Sequence, residues 1–187
     1  MWETFGLRSC LLSSMQDAVL IDLANRVAPE LPIVFIDNGF HFSSTLETVK
    51  RIEKRYRMEI EVVGPGKSIS RQIQPGQCCD AKVELLSQAL DGRDAWMSGI
   101  QRLQTEHRRD TPIIGKDRRG KTKVSPLAQW NEDDRTHYIR KRNVIVNPLL
   151  DQGYTSVGCE PCTDRPNGDI RSGRWADSER TECGLHL

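Results

Sequence analysis

The sequence of 187 residues predicts a single α/β domain, with a mainly parallel sheet flanked by helices and an irregular C-terminal tail. Short apolar runs alternate with segments of helical periodicity, which is typical of a parallel sheet covered by helices. Beyond residue 148 the chain is mostly Gly, Pro, Asp and Arg, a composition that is too polar to fold alone. We therefore expect residues 1–150 to form the α/β core and residues 151–187 to be a tail that is anchored on it.

The elements follow from the spacing of apolar residues. Short apolar runs predict buried strands at residues 7–12, 33–36, 59–63 and 95–97. Apolar residues at every third or fourth position predict helices at 18–27, 46–56, 83–90 and 131–143. Two further segments are expected to be irregular: a loop at 64–76, and an exposed turn between short strands at 116–123. The turns at 13–17 and 37–42 follow strands, so we expect ligands to bind beside them, at the carboxyl edge of the sheet.

Composition excludes several classes of partner. The chain has 27 Lys and Arg against 26 Asp and Glu, a formal net charge of +1, so neither a nucleic acid nor an anionic membrane is expected as a partner. The longest apolar stretches, 18–24 and 32–36, are far shorter than the roughly 20 residues of a membrane helix. The N-terminus has no basic segment followed by an apolar one. We expect a soluble cytoplasmic protein; its oligomeric state, a homo-oligomer included, stays open.

The six cysteines are unevenly placed, which favours metal or redox chemistry over a disulfide framework in a reducing compartment. They are Cys10 alone, the adjacent pair Cys78 and Cys79, the C-x-x-C pair Cys159 and Cys162, and Cys183 near the end. The two pairs could form one site if the fold joins them, with zinc or an iron–sulfur cluster as the candidates. Adjacent cysteines suit a cluster, whose irons occupy separate corners, better than a single zinc ion. Structural zinc and buried thiols without a metal remain alternatives.

Two further features could carry chemistry. Cys183 lies in a polar C-terminal segment, where a reachable thiol can act as a nucleophile; a thiol without function is the alternative. Residues 13–17, with Ser13, Ser14 and Asp17, lie at a strand-to-helix junction. Such a junction can bind an anion or simply cap the helix.

Arginines form two candidate anion sites. Arg171 and Arg174 are three residues apart beside Trp175, an arrangement suited to phosphate or sulfate, although a solvated basic turn is the alternative. Arg102, Arg108 and Arg109 form a second basic patch, with the same alternative. Of His41, His107 and His137, only His41 is considered for a ligand contact.

Taken together, these motifs resemble those of the assimilatory sulfonucleotide reductases, and specifically of the cluster-containing adenylyl-sulfate reductases of bacteria. The resemblance covers nearly the whole chain. Its most specific elements are Cys78-Cys79, segment 158–163 around Cys159 and Cys162, segment 171–175 around Arg171 and Arg174, and segment 182–186 around Cys183. Segments 14–20, 37–42, 147–149 and 153–154 support it.

The resemblance implies an adenine nucleotide alpha-hydrolase-like fold and the thioredoxin-dependent reduction of adenylyl sulfate to sulfite and AMP, in sulfate assimilation and cysteine biosynthesis. Cys183 would be the nucleophile and would form a cysteine S-sulfonate. One [4Fe–4S] cluster per chain would be bound by the four paired cysteines, Cys78, Cys79, Cys159 and Cys162, with Lys82 nearby. The implied substrate-binding residues are Ser13, Ser14, Asp17, Arg102, Arg171, Arg174 and His186. Thioredoxin or a similar dithiol would be the partner.

The sequence departs from the family pattern at several positions. The segment after Cys79 is one residue shorter, which turns a helix by about 100° and leads us to expect a changed direction for Lys82. Gln101 replaces a usual arginine and Ser44 a usual glutamate, the loop before Cys78 is short, and the usual upstream helical segment is missing. Two alternatives therefore stay open: a reductase of phosphoadenylyl sulfate, and a catalytically impaired relative that binds a cluster or zinc.

Overall fold

The computed structural model describes residues 1–64, 78–175 and 182–185, with only the backbone of Cys78. This part of the chain contains six strands and five helices. The strands are β1 Ser9–Ser13, β2 Ile33–Ile36, β3 Ile60–Val63, β4 Ala95–Ser98, β5 Ile114–Lys116 and β6 Thr122–Val124. The helices are α1 Trp2–Phe5, α2 Val19–Val27, α3 Ser43–Tyr56, α4 Cys78–Ala89 and α5 Glu132–Arg142. Short 3-10 turns span Gly6–Arg8, Arg102–Gln104, Glu106–Arg108, Leu150–Gln152 and Glu160–Cys162.

The strands form one sheet in the order β3-β2-β1-β4-β6-β5. Every pairing is parallel except that of β5 with β6. From β1 the chain builds β2 and β3 on one side and then crosses to β4 on the other. The carboxyl ends of β1 and β4 are therefore a switch point, where a crevice opens in sheets of this kind. The predicted fold class, a mainly parallel sheet flanked by helices, is confirmed.

Both faces of the central strands are buried because helices cover them. On one face Leu11, Ile33 and Phe35 pack in a core cluster with residues of α2 and α3. On the other, Cys10 and Leu12 join a cluster that contains Leu85, Leu86 and Leu90. Residues 10 to 12 alternate between the two faces, as strand geometry requires. Each fully buried aliphatic side chain contributes roughly 1.5–3 kcal/mol to the free energy of unfolding.

The predicted boundaries differ from the observed ones by more than one residue at three places. β1 begins at Ser9 instead of residue 7, because Gly6–Arg8 forms a 3-10 turn. Helix α3 begins at Ser43, one turn before its first apolar residue. Helix α4 begins at Cys78, so the cysteine pair lies on its first turn. Most of the predicted loop at 64–76 lies outside the described residues. Within the described ranges, the helices lack the length and apolarity needed to cross a membrane.

The described part of the C-terminal tail is anchored on the carboxyl edge of the sheet. Cys159 forms an isolated antiparallel bridge with His41, and the amide of Glu160 donates to the carbonyl of Phe40 at 2.7 Å. The amide of Val157 donates to Gln16 Oε1 at 2.9 Å. The tail therefore carries its C-x-x-C motif onto the loops that follow β1 and β2.

Candidate active site

A cavity opens at the carboxyl ends of β1, β2 and β4, at the switch point of the sheet. Its described lining includes the polar or ionisable side chains of Ser13, Ser14, Asp17, His41, Lys82, Ser98, Gln101, Arg108, Arg135, Arg171, Arg174 and Cys183. Five of its described lining residues are cationic (Lys82, Arg108, Arg135, Arg171 and Arg174) and one, Asp17, is acidic. A cavity with this excess of positive charge suits an anionic ligand.

The loop after β1 forms one wall of the cavity. Ser13 Oγ accepts a hydrogen bond from the amide of Met15 at 3.2 Å, and Met15 adopts a left-handed φ of 60°, which turns the chain sharply into α2. Asp17 accepts from the amide of Val19 at 3.0 Å and from Arg135 Nη1 at 2.8 Å. The loop thus places Ser13 and Asp17 at the cavity and keeps Asp17 paired with a cation.

The end of β4 supplies two polar groups that sequence reasoning did not assign to the site. Ser98 Oγ and Gln101 Nε2 are buried and have no hydrogen-bond partner among the described residues, and both residues line the cavity. Buried polar groups are nearly always paired, so these two atoms are positioned to contact a ligand. Gln101 had drawn notice only as a departure from the family pattern.

Arg174 lies between the cavity and the C-x-x-C motif. Its guanidinium stacks on the Trp175 ring at 4.4 Å, and it donates to Cys162 O and Ser156 Oγ, each at 3.3 Å. Burial lowers the pKa of Arg174, and the opposing influence of the nearby cysteines, Cys183 foremost, is smaller. The guanidinium therefore provides a cation close to both the cavity and the sulfur atoms.

Gly158 allows this position of Arg174. A Cβ on residue 158 would lie 2.8 Å from Arg174 Nη1 and closer still to Nη2. Glycine at 158 therefore keeps the space into which the guanidinium packs.

The predicted Arg171 lines the cavity, whereas the predicted Arg102 does not. Burial lowers the pKa of Arg171 to about 10, with the charge of Arg108 adding to the effect, so it stays protonated near neutral pH. Arg102 is outside the described lining, and its Nε donates to the carbonyl of Thr111 at 2.9 Å. Arg108, which belongs to the same predicted basic patch, does line the cavity.

Cysteines from both predicted pairs meet beside the cavity. Cys79 and Cys159 are 3% exposed and pack with Trp175, and Phe40, Cys162 and Cys183 lie against them. Asn38 Nδ2 donates to Cys159 Sγ at 3.2 Å. Cys78 precedes Cys79 on α4, but its side chain lies outside the described residues, as does the whole of His186.

The surroundings of these cysteines agree with the chemistry of a thiolate-bound iron–sulfur cluster. The sulfur atoms lie among aromatic rings, Asn38 donates an N–H to one of them, and Arg174 supplies a neighbouring positive charge. Apolar packing and N–H donors to sulfur are the features by which proteins tune such clusters. Among the residues that the structure describes, no three His, Cys, Asp or Glu side chains are grouped closely enough to hold a single metal ion.

Lys82 and His41 also line the cavity. Lys82 is 9% exposed and lines the cavity, so the shortened segment after Cys79 has not removed it from the site. His41 Nε2 contacts the carbonyl oxygen of Ile36 at 2.9 Å, and its Nδ1 has no partner in the described part of the chain. Burial, helped by the charge of Lys82, lowers the pKa of His41 to about 3. The ring is therefore neutral near neutral pH, and its Nε2–H donates to Ile36.

Cys10 is expected to resist alkylation under conditions in which Cys183 reacts. Cys10 is fully buried in the core, and burial raises its pKa to about 11. Because the thiolate is the reactive form, both its burial and its protonation protect it near neutral pH. Peptide mapping after brief iodoacetamide treatment of the folded protein measures the two rates. Modification of Cys10 as fast as that of Cys183 would contradict this placement.

Comparisons with known proteins identify the family of the chain. A family model described as the phosphoadenosine phosphosulfate reductase domain matches residues 9–165. Adenosine 5'-phosphosulfate reductase of Streptomyces coelicolor is 41% identical, with 98% of this chain and 84% of that protein covered. The protein of the same name from Mycolicibacterium smegmatis is 39% identical, with 99% and 84% covered. A solved structure of phosphoadenylyl-sulfate reductase from Candida auris has a TM-score of 0.70 at 22% identity, with 82% of this chain and 81% of that one covered; this likeness concerns the fold.

Proposed function

Since the chain belongs to the phosphoadenosine phosphosulfate reductase domain family, we propose that it reduces adenylyl sulfate to sulfite and AMP, with Cys183 as the nucleophile. Membership of the family confirms the resemblance to the sulfonucleotide reductases. The single observation that carries the proposal is that Cys183 lines the same cavity as five cationic side chains. A thiol and an anion site that share one cavity are what an attack on a sulfated nucleotide requires.

In the first step, the Cys183 thiolate attacks the sulfur atom of the sulfate group. A bond forms between Sγ and that sulfur, and the bond from sulfur to the bridging phosphate oxygen breaks. AMP leaves with the electron pair, and Cys183 becomes an S-sulfonate. Arg171, Arg174 and Lys82 line the cavity, where they can neutralise the negative charge of the sulfate and of the departing phosphate.

In the second step, a dithiol releases the product. One thiolate of thioredoxin, or of a similar dithiol, attacks Cys183 Sγ and expels sulfite with the electron pair. The second thiol of the reductant then attacks the mixed disulfide, which restores the Cys183 thiol and leaves the reductant oxidised. Cys183 is partly buried, so this step requires the C-terminal segment to present it to the reductant.

We further propose that Cys78, Cys79, Cys159 and Cys162 hold a [4Fe–4S] cluster. The support is that Cys79, Cys159 and Cys162 lie together in aromatic surroundings, close to Arg174. When bound, the cluster would supply a charged centre that adjusts the electrostatics of the site. The protein's own residues bind and orient the nucleotide and carry the thiol chemistry.

Adenylyl sulfate is favoured over phosphoadenylyl sulfate because relatives that are 41% and 39% identical are named for it. The test is sulfite formation by anaerobically purified protein with thioredoxin, with each nucleotide in turn and iron measured in the same sample. We expect a higher kcat/KM for adenylyl sulfate and about four irons per chain. A higher value for phosphoadenylyl sulfate would reverse the substrate assignment, and iron without any sulfite would indicate an impaired relative.

Gly158→Ala is expected to raise the KM for adenylyl sulfate by about tenfold, roughly the loss of one charge-assisted hydrogen bond. The new Cβ would occupy space now filled by the Arg174 guanidinium, so the cation must move away from its present position. Steady-state kinetics measure this change. The control is Gly64→Ala, where a Cβ would meet only the carbonyl oxygen of Asp37, at 3.5 Å, and which is outside the described lining of the cavity. Equal KM values in the two variants would contradict the role given to Arg174.

A further inference from the structure

The carboxylate of Glu182, the residue before Cys183, is buried in a bidentate ion pair. Arg108 Nε donates to its Oε1 at 2.7 Å, and Arg108 Nη2 donates to its Oε2 at 2.7 Å. The side chain of Arg108 is 9% exposed and that of Glu182 is 4% exposed. Two parallel N–H···O bonds fix the relative orientation of both groups. The pair therefore ties the C-terminal segment rigidly to the turn at Glu106–Arg108.

Two more groups complete the surroundings of this carboxylate. Thr105 Oγ1 donates to Oε1 at 3.0 Å, and Arg171 Nη2 lies 3.7 Å from Oε2. Burial alone would raise the pKa of Glu182, but the hydrogen bonds and charge of Arg108, together with the charge of Arg171, hold it below the usual value. Glu182 is therefore an anion whose partners come from two separate segments of the chain.

The residues after Cys183 are held as well. Arg118 Nη2 donates to the carbonyl of Gly184 at 3.2 Å, and Gly184 adopts a φ of +81°, which favours glycine. Leu185 packs against the core cluster that contains Leu85 and Leu86. Cys183 is thus bracketed by an ion pair on one side and by a turn with an apolar contact on the other.

We propose that Glu182 is a positioning residue for Cys183: its buried pair with Arg108 keeps the thiol at the cavity, where it meets the sulfate group. This inference rests on the proposed role of Cys183 as the nucleophile. Glu182 itself is outside the described lining of the cavity, so it acts through the segment it anchors. A small displacement of a reacting atom is enough to slow a reaction by about a hundredfold.

The test is Glu182→Gln, which keeps the shape of the side chain but removes its negative charge. The amide has a single acceptor oxygen, so it cannot form the two parallel N–H···O bonds to the Arg108 guanidinium. Losing one partner of a buried pair is costly, so the segment leaves its position more often. We expect iodoacetamide to alkylate Cys183 at least about tenfold faster without substrate, and kcat to fall by about tenfold to a hundredfold. The KM should change by no more than about threefold, because the cationic lining that binds the nucleotide is retained.

The matched control is Glu106→Gln, which breaks an exposed pair with Arg109 on the same turn and should leave both rates unchanged. Thr105→Val, which removes only the 3.0 Å hydrogen bond, should change them in the same direction to a smaller extent, and it carries the test if Glu182→Gln does not fold. An unchanged alkylation rate of Cys183 in both Glu182→Gln and Thr105→Val would overturn the proposal, whatever happens to kcat. The alkylation measurement needs no turnover, so this failure is distinguishable from failure of the reductase function.

Discussion

Replacing Cys183 by serine is expected to lower kcat for sulfite formation by a factor on the order of 10³ or more, as removal of a nucleophile does in other enzymes. A hydroxyl at this position is a far weaker nucleophile than a thiolate, and among the described residues that line the cavity Cys183 is the only cysteine. AMP should bind the variant as tightly as it binds the wild type, because the cationic side chains that line the cavity are untouched. Sulfite release and AMP titration measure the two effects.

The control for this variant is Cys10→Ala. Cys10 is fully buried between the sheet and α4, so the change should lower the free energy of unfolding by about 1 kcal/mol and leave kcat unchanged. Sulfite formation by Cys183→Ser at a rate close to that of the wild type would show that another group is the nucleophile.

Replacing Cys159 by serine is expected to abolish stable iron binding and, with it, most of the activity. Cys159 is 3% exposed, and its backbone bridges to His41 while its Sγ accepts from Asn38. Serine keeps the size of the side chain but is a poor ligand for iron. Proteins hold the irons of such clusters through cysteine thiolates. Iron and acid-labile sulfide per chain, measured after anaerobic purification, give the result.

The Cys183→Ser protein serves as the matched control, since it should retain its full iron content while losing turnover. The two cysteine variants thus separate cluster binding from nucleophilic attack. Full iron retention by Cys159→Ser would show that Cys159 is not a ligand. Zinc in place of iron in the wild type would contradict the assignment of a cluster.

The sequence was informative wherever a property depends on local patterns. The apolar run at 33–36 is a strand with those bounds, because a strand buried on both faces must be apolar throughout. The polar tail was predicted to need an anchor, and the bridge between Cys159 and His41 is part of that anchor. Both cysteine pairs were predicted to meet, and Cys79, Cys159 and Cys162 do lie together.

The contacts that pattern could not predict are those between distant segments. Arg102 and Arg108 belong to one predicted basic patch, yet only Arg108 lines the described cavity. Arg102 Nε instead donates to the carbonyl of Thr111, a contact that depends on where the chain leads into β5. Nothing in the local sequence marks Ser98 as a residue of the cavity, because its position there depends on the pairing of β4 with β1. Glu182 and Arg108 are 74 positions apart, and nothing in their local sequence indicates that they pair.

The most direct test of the proposed chemistry is to trap the intermediate. The anaerobically purified protein would be incubated with adenylyl sulfate and no reductant, and its intact mass and peptides then measured. The account predicts one SO₃ group per chain, located on Cys183, with one AMP released for each group and sulfite set free when thioredoxin is added. An adduct on another cysteine, or AMP released without any adduct, would contradict it.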